Sequence, residues 1–158
     1  MSIELVIGDM LEAFKSKEIN AMMHGCNCFN NFGAGLARDI RNLYAEASRV
    51  DRATKVGDKQ KLGQISIAKV SDQTIFNLYT QYGYGGGVCN TNYDAVANCL
   101  LLVRKFLEYS RFKGVVGLPY LMCCGLGGGS WAKVEYIIQQ IFKGSDITIK
   151  IFKLKSLD

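Results

Sequence analysis

Apolar residues along the chain recur at two spacings, the two-residue period of strands and the wider period of helices. Short apolar runs predict six strands, at residues 3–7, 20–24, 64–70, 74–79, 115–118 and 148–154. Helical spacing predicts a short turn at residues 11–15 and three longer helices. The first begins at Leu36, the second follows a cap at Asn90, Thr91 or Asn92, and the third begins at Trp131. Strands that alternate with helices predict a three-layer α/β/α sandwich around a mixed sheet of about six strands.

Two local predictions follow from the same pattern. The apolar positions Leu36, Ile40, Leu43, Tyr44 and Ala47 fit one face of a single helix. The strands at 64–70 and 74–79 are close enough in the sequence to form a hairpin.

The composition suits one globular domain. The chain has 158 residues, of which 49% are hydrophobic, and no linker or repeat divides residues 1–158. No secretory signal stretch and no membrane-length apolar run occur, so we expect a cytoplasmic monomer with no membrane partner. The six cysteines are then expected to be free thiols.

The charge and the ligand-type residues exclude some functions. A net charge of +5 is scattered along the chain, which fits a solvated surface or a mild field that attracts an anion. Nucleic acid is disfavoured as a partner, because no basic run interleaved with aromatic residues is present. One histidine and no Cys-x-x-Cys pair predict no metal site.

Three glycine-rich loops follow predicted strands, at residues 25–35, 81–90 and 119–129. In sheets of this kind ligands bind beyond the carboxyl ends of the strands, and glycine lets main-chain amides close around phosphate oxygens. The first loop also leads into a helix N-terminus, which favours an anion. A bound diphosphate is one interpretation; the other is that the glycines only permit tight turns. Neither a P-loop nor the dinucleotide fingerprint is present.

Two residues of the first loop region are candidates for catalysis. His24 is the only histidine and is predicted at the end of a strand, where a neutral imidazole could move a proton. Asn27 could orient a ribose hydroxyl or a water. The alternatives are a histidine packed beneath the loop and an asparagine that only shapes a turn. Cys26 is a nucleophile only if His24 lowers its pKa.

The motifs resemble those of the macrodomains, α/β/α modules that bind ADP-ribose, across nearly the whole chain. The similar segments are Gly8-Asp9, His24-Gly25-Cys26-Asn27-Cys28, Gly33-Ala34-Gly35-Leu36-Ala37, and Pro119 through Gly128. Within that family the His-x-Cys-Asn-Cys opening and Trp131 are most similar to the yeast-type ADP-ribose 1″-phosphate phosphatases and the related hydrolases that release ADP-ribose from glutamate esters.

The resemblance implies a ligand-binding role for a set of residues. Asp9, with Met10 beside it, would accept the adenine amino group, or it caps the short helix at residues 11–15. Phe152 would pack against adenine, or it belongs to the core. Asn27 would meet the distal ribose. From their place in the second loop, Tyr82 and Tyr84 could line that ribose or only shield the sheet. The phosphate-binding loops would contribute Gly33, Ala34, Gly35, Leu36, Cys124, Gly125, Leu126, Gly127 and Gly128.

The resemblance implies hydrolysis of ADP-ribose 1″-phosphate to ADP-ribose and phosphate, with His24 and Asn27 as catalytic residues and without a cofactor. The glutamate-ester hydrolases have a lysine where this chain has Gln81 or Tyr82, and an aspartate where it has Gly127. Two alternatives therefore stay open: removal of an acyl group or an ADP-ribosyl ester, and a non-catalytic reader. The expected partners are ADP-ribose or a derivative of it, and an ADP-ribosylated protein.

Overall fold

The computed structural model describes residues 2–125 and 127–155. Within these residues a six-stranded sheet has the order β1-β6-β5-β2-β4-β3. All neighbouring strands are parallel except β3 and β4, which are antiparallel. The strands are β1 Ser2–Ile7, β2 Ala21–Cys26, β3 Ile65–Val70, β4 Gln73–Tyr79, β5 Val115–Pro119 and β6 Thr148–Lys153. The six strands and the hairpin predicted from the sequence are confirmed.

Five α-helices and one 3₁₀ turn connect these strands among the described residues. They are α1 Met10–Lys15, α2 Gly35–Leu43, α3 Ala45–Arg52, α4 Tyr93–Tyr109 and α5 Trp131–Phe142, with the 3₁₀ turn at Lys59–Lys61. None of the helices in the described part of the chain is long and apolar enough to cross a membrane.

The prediction of one helix from Leu36 through Ala47 is wrong. The backbone leaves helical geometry at Tyr44, with φ −136° and ψ 88°, and α3 starts at the next residue. Leu43, predicted on the buried face, is 58% exposed, because the break ends α2 there. The ring of Tyr44 packs edge-on against Phe14 at 5.1 Å, a contact from a distant helix that periodicity does not reveal.

Side chains of the central strands alternate between the two faces of the sheet and form two cores. Met23 and Phe76 belong to the core under α4 and α5, while their neighbours Met22 and Ile75 belong to the core under α1, α2 and α3. Every residue of β4 is buried. Two apolar layers on opposite faces of one sheet confirm the predicted α/β/α sandwich.

The three glycine-rich loops lie at one edge of the sheet. They follow β2, β4 and β5, which are neighbours in the order β5-β2-β4 and run parallel to each other. Most strand boundaries differ from the prediction by one residue, but β2 continues to Cys26, two residues beyond its predicted end. His24 therefore lies inside the strand, beneath the loop that follows it.

Candidate functional site

A cavity of about 630 Å³ opens at the edge of the sheet where the three loops meet. Its described lining comprises residues 24–27, 31, 33–37, 81, 84, 85, 119–123, 125 and 127. This set contains no Asp, Glu, Lys or Arg. An anion held here must be bound by amides, hydroxyls and main-chain N–H groups, and none of the lining residues supplies a charged side chain.

The N-terminus of α2 faces this cavity without a side-chain cap. Ala34 occupies the N-cap position with extended backbone angles, and no side chain bonds to the first turn. The first N–H groups of a helix have no partner within the helix, and those of Gly35, Leu36 and Ala37 belong to residues that line the cavity. Together with the helix dipole they form a site suited to phosphate oxygens.

Internal hydrogen bonds hold the first loop in shape. The side chain of Asn27 donates to the carbonyl of Asn31 at 3.0 Å and accepts from the amide of Phe29 at 2.9 Å. Asn31 in turn accepts from the amide of Gly33 at 2.8 Å. Asn27 lines the cavity, but both the oxygen and the NH₂ group of its side chain are hydrogen-bonded within the loop.

A buried lysine fixes the same loop from below. The ammonium of Lys61, which is 7% exposed, donates to the carbonyl of Cys28 at 3.1 Å and to Oδ1 of Asn30 at 2.5 Å. It also lies 4.9 Å from the ring centroid of Tyr79. Asn30 has a φ of +55°, a conformation that asparagine tolerates better than most residues.

The loop after β5 is held in an unusual backbone conformation. Leu121 and Cys123 have φ of +62° and +68°, and both line the cavity. The hydroxyl of Thr91 donates to the carbonyl of Cys123 at 2.6 Å, which ties this loop to the end of the loop after β4. Left-handed non-glycine residues cost about 1 kcal/mol or more, so the surrounding contacts must enforce this shape.

Gly127 is confined by that same contact between the two loops. A Cβ atom at this position would lie 2.7 Å from Oε1 of Gln81, 2.8 Å from Oγ1 of Thr91 and 2.9 Å from the carbonyl of Cys123. All three distances are shorter than real Cβ contacts. The structure therefore has no room at Gly127 for the aspartate that the resembling glutamate-ester hydrolases have there.

His24 lies at the floor of the cavity and is 1% exposed. Its Nε2 is 2.7 Å from Oδ1 of Asn77, and its ring packs edge-on against Phe32 at 5.3 Å. The amide of Asn77 donates to the carbonyl of Ala47 and to Oγ of Ser66, so its oxygen accepts and Nε2 of His24 donates. Burial lowers the pKa of His24 to about 4, although the bond to Asn77 opposes the shift.

The bond from His24 continues as a buried hydrogen-bonded chain. Asn77 donates to Oγ of Ser66 at 3.0 Å, Ser66 lies 2.8 Å from the hydroxyl of Tyr79, and Tyr79 donates to Oδ1 of Asp51 at 2.8 Å. Because the proton of Tyr79 goes to Asp51, Ser66 must donate to Tyr79. Every member of the chain donates in one direction, and the chain ends at the Asp51 carboxylate.

The thiol of Cys26 is buried beside the imidazole. Its Sγ lies 3.8 Å from Nδ1 of His24. Burial, followed by the nearby negative charge of Asp51, raises the pKa of Cys26 well above its ordinary value. A thiolate nucleophile near neutral pH is therefore disfavoured at this position. The described residues contain no cluster of three or more His, Cys, Asp or Glu that could hold a metal ion.

The structure brings part of the predicted ligand set together. The predicted residues that line the cavity are His24, Asn27, Gly33, Ala34, Gly35, Leu36, Gly125 and Gly127. Tyr82, Cys124 and Gly128 belong to the bordering loops but not to this lining. Leu126 lies outside the described residues.

The three residues predicted around adenine do not line this cavity, although Phe152 pairs with Pro119, which does. Asp9 is exposed and caps α1, accepting from the amide of Leu11 at 2.9 Å. Met10 and Phe152 are 4% and 5% exposed and pack in the core under α1. None of the three is among the described lining residues of the cavity.

Sequence reasoning did not single out several residues that shape the site. Asn77 had a visible signal, since it is a polar residue inside the otherwise apolar run of β4. The sequence contains no sign of the roles of Lys61 and Thr91, because their partners Cys28 and Cys123 are more than 30 positions away. Tyr84, by contrast, was expected from the sequence to line the ribose or to shield the sheet, and Pro119 through Cys123 begin the segment that resembles a phosphate-binding loop; all of them line the cavity.

Solved structures with the same architecture define the class of this fold. A protein of unknown function from Bacteroides thetaiotaomicron superposes with a TM-score of 0.84 at 25% identity, covering 98% of this chain and 99% of that one. The macrodomain of Thermus aquaticus DarG gives 0.75 at 19% identity, covering 96% and 97%. Thermosipho africanus DarTG, solved in complex with ADP-ribose, gives 0.76 at 17% identity, covering 96% of this chain and 41% of that one. The chain has the macrodomain fold.

Sequence comparison then gives the family. The chain is 31% identical over 154 residues to the uncharacterised 17.5 kDa protein in the tk-vs intergenic region of Enterobacteria phage T4, covering 94% of this chain and 96% of the phage protein. It belongs to the same family as that phage protein. No known protein-family profile matches the chain.

Proposed function

We propose that the chain binds ADP-ribose in the 630 Å³ cavity and hydrolyses ADP-ribose 1″-phosphate. The observation that carries the binding proposal is the uncapped N-terminus of α2, whose first-turn residues line the cavity. A diphosphate placed there would accept hydrogen bonds from the free N–H groups of that turn. The volume falls within the usual range for small-ligand sites.

The similarity of fold supports the choice of ligand. The DarTG structure that shares this fold was solved with ADP-ribose, and its similarity extends over 96% of this chain. In the orientation that we propose, the diphosphate lies between α2 and the loop after β5. Adenine then extends toward Asp9 and Phe152, and the distal ribose toward Asn27.

The proposed reaction is a phosphate-ester hydrolysis without a metal. The oxygen of a water molecule bonds to phosphorus and loses a proton, the bond from phosphorus to the ribose oxygen breaks, and that oxygen takes up a proton from solvent. The products are ADP-ribose and inorganic phosphate. Main-chain N–H groups would stabilise the charge that develops on the phosphoryl oxygens.

The neutral state of His24 restricts its part in this reaction. With a pKa of about 4, the imidazole is unprotonated at neutral pH. Its Nε2 proton is donated to Asn77, which leaves Nδ1 as a basic atom. We therefore propose that Nδ1 of His24 accepts a proton from the attacking water. Before that step the neutral ring has no proton to give to the leaving oxygen, because its single N–H is hydrogen-bonded to Asn77.

A non-catalytic reader is the second candidate, and the lining of the cavity favours it. The described lining has no carboxylate, ammonium or guanidinium group that could act as acid, base or electrophile. His24 is deeply buried as well. Such a site binds ADP-ribose through its main chain and leaves the ligand, or a protein-linked ADP-ribosyl group, unchanged.

One pair of measurements separates these functions. Calorimetric titration with ADP-ribose, with AMP and ribose 5-phosphate as controls, tests binding. Incubation with ADP-ribose 1″-phosphate and with O-acetyl-ADP-ribose tests release of phosphate or acetate. Binding with phosphate release that His24→Gln slows at least about tenfold supports the phosphatase and the role of His24. Binding without release supports the reader, acetate release supports the acyl hydrolase, and absence of ADP-ribose binding overturns the proposal.

A further inference from the structure

The strand β1 forms one edge of the sheet. It pairs with β6 on one side, and it has no partner strand on its other side among the described residues. At the two ends of β1 the amide of Ser2 donates to the carbonyl of Ile147, and the amide of Gly8 donates to the carbonyl of Lys153. The positions of these bonds show which main-chain groups of β1 face β6.

Three residues of β1 direct their main-chain N–H and C=O groups away from the sheet. Along a strand in a parallel ladder, one residue bonds toward its neighbour strand and the next faces away from it. Since Ser2 and Gly8 bond toward β6, the outward residues are Ile3, Leu5 and Ile7. Their free donors and acceptors can pair with a further strand.

The side chains of β1 are exposed on both faces of the sheet. Leu5 is 61% exposed and Ile7 is 55% exposed, and because side chains alternate along a strand they lie on the same face. Glu4, on the other face, is exposed as well. The helical layers therefore do not cover this strand, which leaves room for another strand beside it.

The two edges of the sheet differ in their protection. On the opposite edge, β3 has an exposed lysine, Lys69, and helix α3 packs against it. Natural sheets use lysine, proline or a covering helix to prevent pairing at an edge. The sequence of β1 contains neither lysine nor proline, and its one charged residue, Glu4, lies beside Lys150 of β6. An unprotected edge of this kind accepts an added strand.

The sequence of β1 is complementary to itself in one antiparallel register. When Leu5 lies opposite Leu5 of a second copy, Ile3 lies opposite Ile7, and all three outward residues of each copy can exchange main-chain hydrogen bonds. The same register places Glu4 opposite the uncharged Val6. A register centred on Glu4 would instead bring two carboxylates together, which is unfavourable. The pattern of charges therefore favours pairing centred on Leu5.

We infer that two copies of the chain form a symmetric dimer by antiparallel pairing of their β1 strands, with the two-fold axis at Leu5. The two six-stranded sheets then join into one continuous sheet. This inference replaces the monomer expected from the sequence. An interface of one strand from each copy is small, so the dimer is reversible, with a dissociation constant on the order of 10–100 µM.

Dimerisation leaves the ligand cavity of each copy open. Because the paired strands are antiparallel, the loop edges of the two sheets point in opposite directions, and the residues of β1 do not line the cavity. The inference is therefore independent of the proposed function. Loss of the dimer should leave ADP-ribose affinity unchanged, and absence of ADP-ribose binding would not affect the dimer.

Sedimentation equilibrium over about 1 µM to 1 mM tests the dimer and its register. The variants are Leu5→Lys and Leu5→Glu, studied alone and as an equimolar mixture. The control is Tyr109→Lys, because Tyr109 is a 92% exposed residue of α4 and adds the same charge far along the chain from β1. Circular dichroism and thermal unfolding check that each variant is folded.

We expect the molar mass of the unmodified protein and of Tyr109→Lys to rise from one chain toward two as the concentration increases. Each Leu5 variant alone places like charges opposite each other at the two-fold axis, so its dissociation constant should rise at least about tenfold. The mixture pairs opposite charges and should recover the dimer. A single-chain mass at 1 mM, a dimer that Leu5→Lys does not weaken, or a mixture that stays monomeric overturns the inference.

Amide hydrogen exchange of the unmodified protein provides a second measurement that needs no variant. The amides of Ile3, Leu5 and Ile7 should exchange more slowly as the protein concentration rises, because they become bonded only in the dimer. The amides of Glu4 and Val6 face β6 and should be protected at every concentration. Dimerisation without added protection at the three outward amides would place the interface elsewhere and overturn the inference.

Discussion

Nε2 of His24 donates to Oδ1 of Asn77 across 2.7 Å, and both side chains are at most 1% exposed. Asn77 is itself fixed by donations to Ala47 and Ser66, so it presents only its oxygen to the imidazole. This contact sets the tautomer of His24, while burial keeps the ring neutral beneath the cavity. The group that faces Nε2 of His24 thus comes from β4, the neighbouring strand.

A carboxylate in place of Asn77 should change the charge of His24. Asn77→Asp puts an opposite charge next to the imidazole, which favours the imidazolium and raises the pKa of His24 from about 4. Because His24 is the only histidine, its ring resonances can be followed by NMR as a function of pH without overlap. Asn42→Asp, at an exposed residue of α2, adds the same charge and is the control. A titration midpoint that stays near 4 in Asn77→Asp would contradict this explanation.

The same shift predicts how stability depends on pH. The folded pKa of His24 is about 4 and the ordinary value is 6.5, so between these pH values only the unfolded chain binds the proton. The free energy of unfolding should then fall as pH is lowered from about 6.5 to 4, by roughly 3 kcal/mol from this one group. Below pH 4 the folded protein also takes up the proton, and the loss stops.

Urea unfolding at several pH values measures this effect. His24→Gln retains a donor for Asn77 but cannot titrate, so the difference between the two proteins isolates the histidine from the carboxylates. We expect the difference in free energy of unfolding to change across the interval from 6.5 to 4. Parallel pH profiles for the two proteins would show that His24 titrates normally.

Two glycines of the loop after β5 should respond differently to alanine. Gly127→Ala forces a methyl group to within 3 Å of Gln81, Thr91 and Cys123, and we expect a loss of about 1–3 kcal/mol. Gly125→Ala is the matched control, because a Cβ there meets nothing within 4 Å. Thermal unfolding should show a lower Tm for Gly127→Ala alone. Equal Tm values would mean that the loop rearranges around the methyl group with no loss of stability.

A cap at α2 should affect stability and binding in opposite directions. Ala34→Asp supplies a carboxylate for the free N–H groups of the first turn, which should stabilise the fold by about 1 kcal/mol. The same carboxylate would occupy and repel the proposed diphosphate site, so ADP-ribose affinity should fall at least about tenfold.

Ser130→Asp provides the comparison for that variant. Ser130 precedes α5, also makes no side-chain cap bond, and does not line the cavity. It should gain similar stability and bind ADP-ribose unchanged, as measured by thermal unfolding and calorimetry. Unchanged ADP-ribose binding in Ala34→Asp would remove α2 from the proposed site.

The sequence predicted those features of the fold that depend on local pattern. The apolar runs of β2, β4 and β5 and the glycines after them were enough to place three loops at one edge of a sheet. The break at Tyr44 was missed because Leu36 through Ala47 has an uninterrupted helical period. At the break the ring of Tyr44 packs against Phe14, which is 30 residues away in the sequence and so invisible to a local pattern.

The loops of the candidate site could be predicted from the sequence, whereas the residues that hold those loops in place could not. Gly33, Ala34 and Gly35 could be identified because glycine before a helix has a recognisable pattern. The cation that fixes the loop, Lys61, comes from a segment with an ordinary surface composition. In the sequence, Arg41 and Arg52 have the pattern of a solvated helix face. In the fold, Arg41 of α2 and Arg52 of α3 line a cavity together with the first loop. Contacts of this kind depend on the folded arrangement.

The uncharged wall of the first cavity also bears on how such proteins diverge. Where main-chain amides form a binding surface, most side chains around it can be replaced as long as loop lengths and a few glycines are kept. Two members of one family can then share the surface while most of their residues differ. The spacing of Gly33, Gly35 and Gly127 relative to the ends of β2 and β5 is thus a better guide to a distant relative than the identity of any charged residue.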